Sequence, residues 1–119
     1  MLFRFRDFRV YKDAREFRIY IYKISEKFPK SERFALVDQV RRAVNSIMLN
    51  IAGGSNKNSN LDFGRFLNIS LSSLEEVVAC LDIALDENFI DAKMHTEILL
   101  RADNLGRQLL AFMKTVRKY

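Results

Sequence analysis

Tryptophan is absent from this chain, and cysteine, histidine and proline each occur once, as Cys80, His95 and Pro29. A lone cysteine cannot close an internal disulfide, which fits a reducing compartment. One proline and four glycines are too few for a small all-β domain, which needs turn signals about every 8–12 residues. No apolar run approaches the roughly 18 residues that span a bilayer. Met1 to Arg9 alternates Phe with Arg instead of carrying an apolar leader core, so the expected location is the cytoplasm. Scarcity of histidine also limits the chemistry. Dinuclear metal bundles need Glu-x-x-His on two helices, and here Ala92 stands three residues before His95, so neither a metal site nor a cofactor is expected. His95 reads as a surface residue paired with Asp91 at i,i+4.

The remaining catalytic patterns fail for specific reasons. Cys80 and His95 are formally a nucleophile and base, but Cys80 falls beside Leu81 and between Val77 and Ala84 on an apolar face. It reads as a small buried hydrophobe. Gly53-Gly54-Ser55 follows a helical stretch and lacks the Gly-Lys-Ser/Thr ending of a phosphate-binding loop. Glu75 and Glu76 point about 100° apart on a helix, a poor arrangement for paired-carboxylate work. The expectation is a protein that is not an enzyme.

What is present is helical periodicity. The chain has 119 residues, 49% of them hydrophobic and 29% charged, the size and balance of one folded domain over 1–119. Val10, Ala14, Phe17, Ile21, Ile24 and Phe28 step by four and three, the seam of a first helix that should end at Pro29. Ser31 is the expected cap of a second helix with the seam Leu36, Val40, Ala43, Ile47 and Ile51. The segment Gly53 to Asn60 should reverse the chain. Ser59 with Asp62 then opens a third helix with Phe63, Phe66 or Leu67, Ser70, Leu74, Val77, Leu81 and Ala84 inward. Asp91 caps a fourth, with Met94, Ile98, Ala102, Leu105, Leu109, Phe112 and Val116 inward and Lys114, Arg117 and Lys118 in its last turn. Mostly short links between four such rods predict an all-α, antiparallel up-down-up-down four-helix bundle. Phe8, Ile19, Tyr22, Leu71, Val78, Leu99, Leu110 and Met113 lie off these seams and suggest an interface in a homo-oligomer.

The net charge of +5 is localised. Residues 1–30 hold nine Lys/Arg (Arg4, Arg6, Arg9, Lys12, Arg15, Arg18, Lys23, Lys27 and Lys30) against Asp7, Asp13, Glu16 and Glu26, while the remainder holds eleven of each sign. This surface would attract a polyanion. Three groups are candidate nucleic-acid contacts. In the arm 1–9, Arg4, Arg6 and Arg9 alternate with phenyl rings that would either stack on bases or pack on a neighbouring subunit. On helix 1, Lys12, Arg15 and Arg18 share a face near Asp13 and Glu16, which leaves a salt-bridged surface as the other reading. On helix 2 stand Arg41 and Arg42, with Lys57 in the following loop; Arg41 could equally pair with Glu75 or Glu76. Ala43, Ser70 and Ser73 read as small residues that let helices 2 and 3 approach closely.

Phe28-Pro29-Lys30-Ser31-Glu32-Arg33-Phe34-Ala35-Leu36, Gln39-Val40-Arg41-Arg42-Ala43, Ser46-Ile47, Asn50-Ile51-Ala52, Gly54-Ser55, Phe63 to Leu67 and Ser73-Leu74-Glu75-Glu76 resemble the bacterial four-helix bundle family of 23S rRNA intervening sequence proteins. The likeness runs over nearly the whole chain. It departs at Tyr11, Gly53 and Leu71-Ser72, where the family tends to have Trp, Glu and Arg-Gly. The resemblance implies a homopentamer similar in architecture to the accessory proteins of diversity-generating retroelements, which bind nucleic acid through basic surfaces. Together these readings predict a non-enzymatic, homo-oligomeric, RNA-binding protein. The competing expectation is a scaffold that recruits another protein and has no nucleic-acid role.

Overall fold

A computed structural model of the chain describes residues 2–118, the side chain of Lys118 excepted. Four α-helices follow a 3-10 turn at Arg4–Asp7: α1 is Arg9–Glu26, α2 Leu36–Gly54, α3 Asn60–Asp86 and α4 Ala92–Lys118. No strand occurs among the described residues. Each helix packs on the next, and α1 closes the ring against α4, as short links between antiparallel rods require. The bundle measures 45 × 23 × 21 Å, and α3 alone, at 27 residues, accounts for about 40 Å of that length. Among the described residues no helix is long and apolar enough to cross a membrane.

The periodic seams occupy the core, except that Met94 and Phe112, expected inward on α4, are half-buried against it. Every seam residue expected on α1 and α2 is buried, and on α3 the core position falls to Leu67 while Phe66 is half-buried. The buried stripes are wider than one residue per turn: Val37 and Val44 on α2, Cys80 on α3 and Met113 on α4 join the same cluster, as expected when a bundle helix buries flanking positions too. Several of the off-seam residues read as an interface are therefore packed within one chain. Met113 is buried, and Phe8, Tyr22, Leu71 and Val78 are half-buried within one chain; Ile19, Leu99 and Leu110 remain exposed.

The helix ends show what sequence can and cannot fix. Ser59 Oγ accepts from the Asp62 amide at 3.1 Å, and Asp91 Oδ1 accepts from the Met94 amide at 2.8 Å, so both expected caps form. The end of α3 adds a left-handed Asn88 (φ 62°). There the Phe89 amide reaches back to Ala84 O at 2.8 Å and the Asn88 amide to Leu85 O at 3.0 Å, a six-to-one and five-to-two closure that satisfies the last carbonyls. Ser31 does not cap α2. The turn after Pro29 closes with i to i+3 bonds, Glu32 N to Pro29 O at 2.9 Å and Arg33 N to Lys30 O at 3.2 Å, so Ser31 lies inside a 3-10 turn and α2 begins only at Leu36.

Close approach of α2 and α3 depends on small side chains. Ser70 is buried with Oγ donating to Ile47 O at 2.9 Å, and Ser73 and Ser46 hydroxyls meet at 2.8 Å. At Gly54 a Cβ would stand 2.6 Å from Phe66 Cβ, whereas Gly53 faces open space. Cys80 is buried among these helices; burial, reinforced by Glu76, pushes its thiol up from the ordinary value, which disfavours the reactive thiolate.

Gly54→Ala should destabilise the fold by about 1–3 kcal/mol, because rigid neighbours must move, whereas Gly53→Ala should be neutral or stabilising by up to about 1 kcal/mol; urea unfolding checks both. Because the folded thiol is raised, Cys80 should react with a disulfide reagent at pH 8 far more slowly than the unfolded chain, and the gap should close under denaturing conditions.

Candidate nucleic-acid interface

The arm is anchored to its own bundle. Residues 4–7 form one 3-10 turn, with the Phe8 amide bonded to Phe5 O at 3.0 Å. Phe8 packs edge-on to Phe112 at 5.1 Å and stacks near Phe63 at 6.3 Å, and Phe5 meets Tyr11 edge-on at 4.9 Å. Arg4 Nη2 donates to Ser55 O at 2.9 Å, tying the arm to the end of α2. The arm is thus a compact turn, and the rings of Phe5 and Phe8, expected either to stack on bases or to pack on a neighbouring subunit, are in contact with rings of their own chain. Such edge-to-face pairs contribute about 0.5–1.5 kcal/mol each beyond buried area.

Anchoring the arm sets Arg6 beside α1. Arg6, Arg15 and Arg18 line one hollow of about 430 Å³ together with Tyr11, Ile19 and Met48. No carboxylate is in that lining. The nearest acids in sequence are directed elsewhere or stand apart. Asp13 accepts from Gln108 Nε2 of α4 at 2.7 Å and pairs with Arg9 at 3.7 Å. Among the described residues, neither Asp7 nor Glu16 lies within 4 Å of a cation. Three like charges around one hollow repel one another, and an anion seated there would relieve that repulsion.

The floor of this surface is built from α2. Arg18 Nε donates to Asn45 Oδ1 at 2.6 Å, and Asn45 Nδ2 donates to the Tyr22 hydroxyl at 2.9 Å. The Tyr22 ring carries Arg18 at 4.1 Å and Arg41 at 4.5 Å from its centroid, within the range of cation–π attraction. Tyr22 was legible only as an off-seam apolar residue. Its i,i+4 spacing from Arg18 was the available signal; its link to Arg41 required the packing of two helices.

The other candidates divide by their partners. Arg41 pairs with Glu26 at 3.1 Å rather than with Glu75 or Glu76, because its side chain crosses to α1; there it also donates to Ser25 Oγ at 3.0 Å and Tyr22 O at 3.3 Å. Arg42 pairs with Asp38 at 3.1 Å on an open surface, its own side chain 80% exposed. Lys57 lies over the Phe66 ring at 4.7 Å. Lys12 is exposed. His95 bonds to Asp82 Oδ1 at 2.8 Å, not to Asp91, and its side chain is only 14% exposed; Asp91 is already used in capping α4. Among the described residues, no three His, Cys, Asp or Glu side chains are grouped to hold a metal ion.

Arg41→Ala should lower stability by about 1–2 kcal/mol through loss of its bonds to α1, while Arg42→Ala should change it by less than about 0.5 kcal/mol; thermal unfolding of both variants separates the anchoring cation from the exposed one.

Comparison with known proteins agrees with this architecture. A crystal structure of a protein of unknown function from the S23 ribosomal protein family of Bacteroides thetaiotaomicron VPI-5482 superposes with a TM-score of 0.81. It is 23% identical, with 88% of this chain and 95% of that chain covered, and the likeness shows the fold. No curated protein matches the sequence. The model of the 23S rRNA-intervening sequence protein family matches residues 6–111. That span takes in the arm from Arg6 onward, the arginine hollow, α1 to α3 and α4 as far as Ala111, and the chain belongs to the 23S rRNA-intervening sequence protein family.

Proposed function

We propose that this chain is a non-catalytic, cytoplasmic, homo-oligomeric protein that binds RNA through the α1–α2 face. The observation that carries the reading is the hollow formed by Arg6, Arg15 and Arg18 with no carboxylate in its lining. Phosphates neutralise such a cluster while releasing counterions. In this reading Arg4, Lys12, Arg42 and Lys57 add outlying phosphate contacts and Arg41 holds the α1–α2 seam, whereas Arg9 lies on the α4 side of α1, beside Gln108 and Phe112, and contributes only to the net charge. The family to which the chain belongs is named for ribosomal RNA, which agrees with the choice of RNA. Catalysis is disfavoured by the state of the two candidate groups, Cys80 buried with a raised thiol and His95 bonded to Asp82.

Assembly uses the opposite face. Between α3 and α4 lies a groove of about 750 Å³ floored by Leu74, Val78, Leu99 and Leu100 and rimmed by Glu75, Asp82 and Asp103. Its acids reflect α3 as a whole, which carries Arg65 against Asp62, Glu75, Glu76, Asp82 and Asp86. A ring, such as the homopentamer the family resemblance implies, needs two different faces that meet; an apolar groove with an acidic rim supplies one of them. In the competing reading this groove recruits a different protein and the positive charge maintains solubility. Co-purification followed by nuclease treatment discriminates, since a protein partner survives the nuclease and an RNA partner does not.

With three phosphates held by Arg6, Arg15 and Arg18, affinity for a single-stranded RNA should fall about 20-fold between about 50 and 200 mM salt. Arg15→Glu should weaken binding at least tenfold, as read by fluorescence anisotropy; affinity indifferent to both salt and charge reversal removes the RNA reading. Leu100→Asp should lower the assembled mass in light scattering while leaving the helical content intact.

A further inference from the structure

The corner between α1 and α2 contains a feature that folding does not explain. Phe34 is 87% exposed, although it sits next to a core that buries Phe28, Leu36 and Val37. A phenyl ring left in water gains nothing for the fold. It stands at a second hollow, about 650 Å³, lined in part by Phe28, Pro29, Lys30, Arg33 and Arg41. Arg33 lies over the Phe34 ring, 5.4 Å from its centroid. Three cations line this hollow, Lys30, Arg33 and Arg41, against one acid, Glu26, which is already bonded to Arg41 at 3.1 Å. Glu32, the other acid of the turn, is half-buried. Among the described residues, neither Lys30 nor Arg33 has a carboxylate within 4 Å.

The two hollows are separate but linked through one side chain. Arg18 lines the first and Arg41 the second, and both guanidinium groups lie over the one Tyr22 ring. The α1–α2 face therefore carries cations and rings in alternation from Arg6 and Tyr11, through Arg18, Tyr22 and Arg41, to Arg33 and Phe34. A track of this composition suits a flexible polyanion that carries planar groups. Cations meet the phosphates, and an exposed ring offers a stacking face that every base can use. Paired bases in a duplex hide those faces, so an exposed ring at the end of a basic track favours unpaired strands.

We propose that Phe34 is a base-stacking platform, and that the substrate of the α1–α2 face is single-stranded RNA laid from the arm hollow to the α1–α2 corner. This inference rests on the RNA-binding reading above and names its substrate class and a second contact point. Phe34 touches the bases, Lys30 and Arg33 meet the adjoining phosphates, and Arg41 positions the two hollows on one face.

The full chain, which contains no tryptophan, permits a direct test. Phe34→Trp installs a single indole reporter at the platform, and a single-stranded RNA of about 15 nucleotides is long enough to fill one site of this kind. Its emission should be quenched saturably by the strand, with a midpoint matching the anisotropy titration, and be unaffected by a duplex of the same sequence. Phe34→Ala should weaken single-strand binding about tenfold with an unchanged salt slope, because no cation is lost. If Phe34→Ala binds like the wild type and the indole emission is unchanged while Arg15→Glu still weakens binding at least tenfold, the platform is refuted and the RNA-binding reading survives. If the wild-type chain binds no single-stranded RNA, both fall. If Phe34→Ala alters the assembled mass in light scattering, the ring is a subunit contact and the proposal is overturned.

Discussion

The packing of α1 on α2 carries both the stability of the bundle and its charged face. Inward, Phe17, Ile21, Ile24, Val40, Val44 and Ile47 share one buried apolar cluster, and apolar burial of this kind is the main favourable term in folding. At the margin of the same seam, Asn45 receives Arg18 and donates to Tyr22, while Arg41 reaches Ser25, Tyr22 O and Glu26. Among the described residues, no buried side-chain nitrogen or oxygen lacks a partner, and that completeness fixes the relative height of the two helices. Shifting α2 along its axis by a turn would break these bonds together and separate the two cations that now share one ring.

Charge is divided between the faces by the same geometry. α3 holds one base against five acids; Glu75 and Asp82 line the groove toward α4, Asp62 pairs with Arg65, and none of the five lines the hollow of the α1 arginines. Asp13, the acid of α1 closest to the arm, is drawn to Gln108 on α4. Arg6, Arg15 and Arg18 are left around one hollow with no carboxylate in its lining. An arrangement in which like charges gather and unlike charges sit on the far side adds nothing to folding stability, since exposed pairs contribute little and like pairs oppose. It makes sense as a surface for a polyanion. The division also limits which face is available for assembly, because burying the arginine face against a second positive surface would cost desolvation without compensation.

Much of this was legible in the sequence, and what escaped has a common physical origin. Steps of three and four along α1 and α2 identified the buried residues because a helix repeats every 3.6 residues regardless of its partners. Ser59, Asp91 and the small residues Ala43, Ser70 and Ser73 were also readable, since capping and close approach depend on side-chain size and local bonding. The concentration of positive charge in residues 1–30 pointed to the arm and α1. Partner choice was not readable. Arg41 binding Glu26, His95 binding Asp82 and Tyr22 carrying two guanidinium groups all depend on how one helix is set against another. Ser31 failed as a cap because the carbonyls of Pro29 and Lys30 closed a tighter turn first. Phe34 belongs to the same class: its place at the second hollow, beside Arg33 and Arg41, depends on how α1 and α2 are set together.

Ultraviolet cross-linking of the intact protein to uridine-rich single-stranded RNA, followed by mass spectrometry of the cross-linked peptides, tests the central claim most directly. Adducts should concentrate on peptides from the arm, α1 and the α1–α2 corner, at Tyr11, Tyr22 and Phe34, and vanish at high salt. Adducts confined to α3 and α4, or none while another protein remains bound after nuclease treatment, would contradict the account.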